Sequence, residues 1–268
     1  MSKIKIGVAG CLGRMGQEII KNIIQNKNFI FVGGFEHKKH PHINKKFSDV
    51  TDIKCDKIVS TNSNNIIKGS DVIIDFTIPQ STLLNIKQAS LLRTAYVIGT
   101  TGINEKQEKI IKKLSKKIPI LMSSNMSLGV NLLFNLVEQT ASILKDSEYD
   151  IEIAETHHKH KIDSPSGTAL SLGNFAAKGR KTKLKKVMVL DRISKNIIRK
   201  KGDIGFAVSR GGEIAGEHTV SFVGASDRID IIHKANDRSI FVKGAIEAAI
   251  FLTKKKIGFF NMNDLILK

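Results

Sequence analysis

The sequence lacks several features that mark particular classes of protein. None of its 268 residues is tryptophan, and only two, Cys11 and Cys55, are cysteine. Two such cysteines offer neither a disulfide framework nor a pair of metal ligands, so we expect a reducing, cytoplasmic location. No run approaches the ~20 apolar residues that span a bilayer, and the charged first residues do not suit a signal peptide. We therefore expect a protein that is not membrane-embedded, secreted or fibrous.

Acidic residues are few relative to basic ones. The chain has 43 Lys and Arg against 25 Asp and Glu, which gives a formal net charge of +18. The basic residues are scattered in pairs and triplets, such as Lys38-Lys39 and Lys254–Lys256, whereas nucleic-acid binding favours one stripe with interleaved aromatics. We therefore expect no nucleic-acid partner. A positive field still helps to attract an anionic small molecule.

The hydrophobic pattern predicts an α/β protein with two domains. Up to residue 127, short apolar runs alternate with helical stretches, which is typical of a Rossmann-type parallel sheet covered on both faces. From residue 128, a helix over Leu128–Leu144 precedes longer alternating strands, which indicates a second, α+β domain with an open mixed sheet. An apolar helix over Phe241–Leu252 returns to the first domain, so we assign residues 1–127 and 237–268 to one domain and 128–236 to the other. The strands predicted in the second domain are Asp150–Thr156, Lys186–Asp191, Gly205–Arg210, Glu217–Phe222 and Arg228–His233.

A glycine-rich segment, Gly10–Gly16, lies between a predicted strand and an amphipathic helix. Glycines there let the backbone turn tightly and approach a pyrophosphate at the helix N-terminus. Glu36 ends the next strand, 20 residues after Gly16, where an acid accepts hydrogen bonds from ribose hydroxyls. The first glycine spacing is one residue wider than usual, and a simple tight turn is the alternative. Strand, helix and acid in register favour a nicotinamide dinucleotide.

The residues after Glu36 give conflicting indications about the dinucleotide. Glu36 favours the free ribose hydroxyl of NAD, whereas His37–Lys39 can neutralise the 2′-phosphate of NADP or form a solvated loop. We therefore expect either NADH or NADPH to serve. Two further segments, Gly99–Gly102 and Ser123–Met126, follow predicted strands at the carboxyl edge of the sheet, where ligands of such folds bind. Each also suits a capped helix start.

Three histidines and two lysines crowd the segment Glu155–Ala169. We expect no metal there, because no cysteine is near, Asp163 is the one downstream carboxylate for several residues, and the lysines repel a cation. A solvated basic loop is one alternative. The pattern favours an anion site with acid–base groups, since histidine exchanges protons near neutral pH and lysine is a cationic donor. Ser166–Thr168 begins an apolar helix, whose amides and hydroxyls can hold a carboxylate.

These segments resemble the bacterial dihydrodipicolinate reductase family, from about residue 3 to the last helix. The resemblance implies NAD(P)H-dependent reduction of (hydroxy)dihydrodipicolinate to tetrahydrodipicolinate, in the diaminopimelate route to lysine, by a cytoplasmic homotetramer. It also implies that the first domain binds the dinucleotide, while the second binds the small dicarboxylate substrate and forms the oligomer. The matching segments are Gly10–Gly16, Gly99–Gly102, Ser124–Asn131, Glu155–Ala169, Arg210–Gly212, Gly216–His218 and His233–Ala235.

The resemblance also implies roles for individual residues. His157 matches the acid/base histidine of the family and Lys161 its proton-donating lysine. Two departures concern the cofactor: His37 stands where some relatives have an arginine, and Ile78 replaces a basic residue. Substrate carboxylates are expected at His158, Gly167 and Thr168. The dinucleotide is expected at Gly10, Cys11, Leu12, Gly13, Arg14, Met15, Glu36, Gly99, Thr100, Thr101, Ser123, Ser124, Asn125 and Met126.

Two other functional classes fit part of the sequence. Another Rossmann oxidoreductase, such as an amino-acid dehydrogenase, would keep Gly10–Glu36 but would not need the segment His157–Thr168. A dinucleotide-binding sensor without enzymatic activity would need neither His157 nor Lys161. Assays of NAD(P)H oxidation separate the three classes.

Overall fold

A computed structural model describes residues 2–192 and 198–267 of the chain. The chain divides into two compact units. One unit consists of the residues up to Ser127 and those from Ser239 onward, and the other is Leu128–Arg238. The return to the first unit therefore lies two residues later than the sequence prediction, which placed it at 237. Across the described ranges, no helix has the length and apolar character needed to cross a membrane.

Strands and helices alternate through the first unit and are then interrupted by a block of longer strands. The strands are β1 (Ile4–Ala9), β2 (Phe29–Phe35), β3 (Val72–Asp75), β4 (Ala95–Ile98), β5 (Pro119–Met122), β6 (Asp150–His157), β7 (Met188–Val189), β8 (Ile204–Arg210), β9 (Gly216–Val223), β10 (Arg228–Ala235) and β11 (Gly258–Phe260). The helices are α1 (Arg14–Gln25), α2 (Phe47–Val50), α3 (Ser63–Gly69), α4 (Pro79–Leu92), α5 (Glu105–Leu114), α6 (Leu128–Ile143), α7 (Gly167–Gly179), α8 (Leu184–Val187), α9 (Ser239–Thr253) and α10 (Met262–Ile266).

The first unit contains a six-stranded sheet in the order β11-β5-β4-β3-β1-β2. All of its strand pairs are parallel, and the predicted Rossmann-type sheet is confirmed. Central strands are apolar on both faces because helices cover both, and every residue of β3 is buried. Helix α9 packs against β3 and β4 of this sheet. The edge strand β11, only three residues long, was not predicted.

The second unit contains a five-stranded mixed sheet in the order β10-β9-β6-β8-β7, which confirms the predicted α+β architecture. Strand β6 pairs in parallel with β8 and antiparallel with β9. Helices α6 and α7 contribute to a single core that includes Phe134, Leu172 and Phe222. The opposite face of the sheet carries exposed residues such as Ala154 and Ala207.

The strand predicted over Lys186–Asp191 is wrong for its first part. The chain forms the short helix α8 (Leu184–Val187) and then the two-residue strand β7 (Met188–Val189). Leu184 and Val187 are three residues apart, and a helical turn places both against the core of the second unit. An extended strand would point them to opposite faces.

Candidate active site

The end of strand β6 brings two ionisable residues onto the buried face of the second sheet. Strand alternation places Glu155 and His157 on the same face as Ile151 and Ile153. Glu155 is only 2% exposed and His157 only 8%. Because buried charges are costly unless they are paired, the partners of Glu155 decide what this site can do.

The carboxylate of Glu155 accepts hydrogen bonds from three different elements. Arg210 donates through Nη1 at 2.8 Å and through Nη2 at 2.9 Å. The backbone N–H of Ser166 donates at 2.9 Å, and the Nδ1 atom of His157 lies 2.5 Å away. Burial by itself raises the pKa of Glu155, but Arg210 and these other donors outweigh it and lower the pKa below its usual value. Glu155 is therefore an ionised carboxylate inside the protein.

His157 lies between positive groups and a second histidine. Burial lowers the pKa of His157, and Lys161 and Arg210 lower it further, although Glu155 acts in the opposite direction. The imidazole of His218 is 5.1 Å from that of His157 in an edge-to-face arrangement. Burial is also the main reason that the pKa of His218 falls to about 4. Both rings are therefore neutral at neutral pH.

Lys161 is held in the loop that follows β6. Its Nζ donates to Oδ1 of Asp163 at 2.8 Å, and this ion pair lowers the pKa of Asp163. The guanidinium of Arg210 donates to the carbonyl of Lys161 at 3.3 Å and to that of Asp163 at 2.7 Å. Arg210 thus ties this loop to Glu155. No role for Arg210 was predicted from the sequence.

The start of helix α7 lies in the same region. Ser166 caps the helix by accepting a hydrogen bond from the Ala169 N–H at 3.1 Å. Asp163 accepts a hydrogen bond from the backbone of Gly167 as well as from Lys161, so the helix start and the lysine are neighbours. Gly167 itself is exposed, with open space where a β-carbon would stand. This end of a helix is suited to an anion.

The remaining two residues predicted to bind carboxylates are partly buried. The backbone N–H of His158 donates to the Ile214 carbonyl at 2.8 Å, which fixes the residue beside the loop before β9. Thr168 occupies the first turn of α7. Across residues 2–192 and 198–267, no group of three or more His, Cys, Asp or Glu side chains is arranged to hold a metal ion.

In the first unit, the glycine segment after β1 forms a tight turn against neighbouring backbone. Gly10 has φ +71°, and a β-carbon there would lie 3.1 Å from the Phe76 carbonyl oxygen. A β-carbon at Gly16 would overlap the carbonyl oxygen of Gly10. Glu36 accepts a hydrogen bond from the Leu12 N–H at 3.0 Å, which joins the turn to the end of β2. These contacts leave a cradle of bare backbone at the start of α1, which fits a dinucleotide pyrophosphate.

A cavity of about 570 Å³ opens beside this turn. Three of the residues predicted to bind the dinucleotide line it: Gly10, Gly13 and Glu36. Several further lining residues follow β3 or lie on α4 and were not predicted from the sequence, although the Phe-Thr-Ile-Pro turn after a buried strand was a usable signal. They are Phe76, Thr77, Ser81, Leu84 and Asn85. Predicted residues outside its lining are Cys11, Leu12, Arg14, Met15, Gly99, Thr100, Thr101, Ser123, Ser124, Asn125 and Met126.

Some of these residues have clear structural positions of their own. Cys11 is fully buried, and burial strongly raises the pKa of its thiol, so any cofactor contact there is through backbone. Thr100 accepts a hydrogen bond from the Thr77 N–H at 3.1 Å. Both threonines contact the buried carboxylate of Asp75, and this links the loop after β4 to a lining residue of the cavity. In the segment after β5, Ser123 is half-buried and Met126 is buried.

Comparisons with known proteins agree with both units. The model of the dihydrodipicolinate reductase N-terminus matches residues 4–126, and that of its C-terminus matches residues 129–266. The 4-hydroxy-tetrahydrodipicolinate reductase of Pelagibacter ubique is 46% identical, and the alignment covers 99% of each chain. That of Nitrosospira multiformis is 39% identical over 99% of this chain and 98% of its own.

A solved structure supports the same fold. Dipicolinate-bound dihydrodipicolinate reductase from Paenisporosarcina sp. superposes with a TM-score of 0.79 at 22% identity, covering 98% of this chain and 99% of that one. Family models thus match nearly the whole sequence, and the two named relatives are 46% and 39% identical to it over almost its full length. The chain belongs to the dihydrodipicolinate reductase family of NAD(P)H-dependent oxidoreductases.

Proposed function

We propose that this chain reduces (hydroxy)dihydrodipicolinate to tetrahydrodipicolinate with NAD(P)H, in the cytoplasmic diaminopimelate route to lysine. The observation that carries the proposal is the cluster of His157 and Lys161 beside the start of α7, in a chain 46% identical to a reductase of this name. An amino-acid dehydrogenase is not favoured, since the match to this family includes residues 129–266.

The proposed substrate is a small ring with two carboxylates. The N-terminal end of α7, which contains Gly167 and Thr168, is suited to one of these groups through the helix dipole and the threonine hydroxyl. His158 supplies a further donor from the preceding loop. The related Paenisporosarcina structure contains dipicolinate, which is a planar dicarboxylate of the same class.

The chemistry requires a proton at the atom that gains electrons. When bound, NAD(P)H would supply a hydride to an unsaturated ring carbon conjugated with the C=N, and a hydroxylated substrate presents this carbon once it has lost water. Negative charge then develops on the ring nitrogen, and a nearby cation or acid stabilises that transition state. Lys161 is the proposed donor, held by its ion pair with Asp163 at 2.8 Å. His157 is the proposed neighbouring acid/base group.

The direct test is steady-state NAD(P)H oxidation by the full chain, with substrate generated in situ from pyruvate and aspartate semialdehyde. We expect oxidation that requires both precursors and the enzyme that condenses them. Oxidation with amino acids or other carbonyl compounds, and none with this substrate, would indicate a different Rossmann oxidoreductase. Binding of the dinucleotide without turnover of any substrate would indicate a sensor.

We further propose that NADH and NADPH both serve, with kcat/KM values within roughly tenfold of each other, about 1.4 kcal/mol. Glu36 and Lys38 both line the cavity, and they favour opposite forms of the adenosine ribose.

Replacing Lys38 with alanine should raise the KM for NADPH by about two- to fivefold, which is the usual contribution of an exposed ion pair to affinity, and leave the KM for NADH unchanged. Lys39→Ala, at a position outside the cavity lining, is the control. A preference of thousands for either dinucleotide would contradict this account.

We also propose that the chain is a homotetramer, assembled through the open face of the second sheet. Cross-strand pairing aligns Ala207, Ala154, Thr219 and Ile232 in one row across this face. Ile232 is 53% exposed and both alanines are exposed, so a second copy would bury a small, apolar row.

Light scattering should give four times the monomer mass of 29.6 kDa. Ala154→Arg should reduce that mass, whereas Ala225→Arg, in the exposed turn before β10, should not. A monomer at all concentrations would exclude the proposal.

A further inference from the structure

Glu155 is the most deeply buried charged group in contact with His157, and the reaction gives it no direct role. Its carboxylate is enclosed by β6, β8 and the residue that caps α7. Holding a charge there requires four hydrogen bonds, to Arg210, Ser166 and His157. Burying a carboxylate costs free energy even when it is hydrogen-bonded. Because Glu155 has no direct role in the reaction, we infer that it acts on a neighbouring residue.

The neighbour is His157, whose Nδ1 is 2.5 Å from Glu155 Oε2. An ionised carboxylate can only accept a hydrogen bond, so Nδ1 carries the proton. In the neutral ring, the other nitrogen, Nε2, is then the free base. This nitrogen faces Gly216, where a β-carbon would lie 2.9 Å from it. The lack of a side chain at position 216 therefore keeps the space beside Nε2 open.

We propose that Glu155 is a positioning residue for His157, which it holds as the Nδ1–H tautomer so that Nε2 is the atom that exchanges a proton during reduction. Arg210 supports this arrangement, because it donates a hydrogen bond to each oxygen of the carboxylate. The inference rests on the proposed function, in which His157 is the acid/base group, and it names the reacting atom and its support.

The charged groups around His157 affect its pKa, so removing one of them should shift that pKa in a definite direction. Glu155 raises the pKa of His157, while Arg210 and Lys161 lower it. His218, from β9, is the other titratable group that faces the ring, and His233 of β10 lies across from it in the sheet. Burial lowers the pKa of both histidines, that of His218 to about 4.

The first measurement uses the unaltered chain. With histidine labelled by nitrogen-15, long-range proton–nitrogen correlation spectra distinguish the two neutral tautomers, and His157→Gln identifies the resonance. We expect His157 to be the Nδ1–H tautomer at neutral pH. The Nε2–H tautomer would overturn the proposal. Because this readout needs no turnover, it stands apart from the assay of the reductase activity.

The second measurement uses isosteric and charge-removing variants. Glu155→Gln should move the midpoint of the His157 titration to lower pH by about one unit or more, and Arg210→Met should move it to higher pH. The glutamine variant should also lower kcat by roughly tenfold or more with KM within about twofold, as expected for a mispositioned general base. If Glu155 only filled space, glutamine would preserve kcat and the titration, and that result would exclude the proposal.

A matched control lies on the same strand. Glu152 is also a carboxylate of β6 in ion pairs with arginines, Arg192 at 2.7 Å among them, but it is on the opposite face of the sheet. Glu152→Gln should therefore leave the His157 titration and kcat unchanged. A shift in Glu152→Gln equal to that in Glu155→Gln would show a general charge effect and contradict a positioning role.

Discussion

Replacement of Lys161 by alanine is expected to reduce kcat by about 100-fold or more, the usual contribution of a general acid. The substitution removes the ammonium group beside the start of α7 and leaves Asp163, whose side chain is 60% exposed, to solvent. Folding should be little affected for that reason. Affinity for NADH should also be unchanged, since the glycine turn and cavity lie in the first unit.

A neighbouring lysine provides the control for this result. Lys159 lies in the same loop and also pairs with an acid, Glu213, at 3.4 Å, but it is 61% exposed. Lys159→Ala should retain kcat within about twofold, as expected for a surface ion pair. A full kcat in Lys161→Ala, or an equal loss in both variants, would remove Lys161 from the proposed mechanism.

Gly16→Ala is expected to weaken NADH binding by roughly 10- to 100-fold. The new β-carbon would overlap the backbone of Gly10 and approach that of Cys11, and neither of these can move aside as a side chain would. Forcing one methyl group into such a site costs about 1–3 kcal/mol, and each 1.4 kcal/mol is a factor of ten in affinity. The glycine turn must shift away from the position that fits a pyrophosphate.

Fluorescence titration with NADH measures the effect of the substitution on binding, and thermal unfolding measures its effect on stability. Gly211→Ala is a suitable comparison, because the glycine has no neighbour within 4 Å of its would-be β-carbon. It should change neither the dissociation constant for NADH nor the unfolding temperature. An unchanged dissociation constant in Gly16→Ala would show that this turn does not bind the dinucleotide.

The parts of the fold that sequence analysis predicted are those with local signals. Gly10–Gly16 could be interpreted because the spacing of glycines between a strand and a helix depends only on adjacent residues. The helix over Phe241–Leu252 and the alternating strand that ends at Thr156 were equally local. Such patterns can be recognised without knowledge of the tertiary structure.

The contacts that build the site were not predicted, since they join distant positions. Arg210 meets Glu155 across 55 residues of sequence, and only the parallel pairing of β6 with β8 brings them together. The segment Arg210–Gly212 resembles the family, but the local sequence does not indicate which carboxylate Arg210 contacts. The first part of the strand predicted over Lys186–Asp191 was wrong for a similar reason, because the core of the second unit selects a helical turn for Leu184 and Val187.

The reaction expected of this chain is the transfer of a hydride from a nicotinamide cofactor to a cyclic dicarboxylate. The most direct measurement supplies NADH deuterated at the transferable position of C4, together with substrate generated in situ, and analyses the product by mass spectrometry. We expect tetrahydrodipicolinate that carries one deuterium from the cofactor, and about 100-fold less of it over the same interval when Lys161 is alanine. Deuterium retained in the cofactor, or recovered in another compound while tetrahydrodipicolinate is unlabelled, would contradict the account.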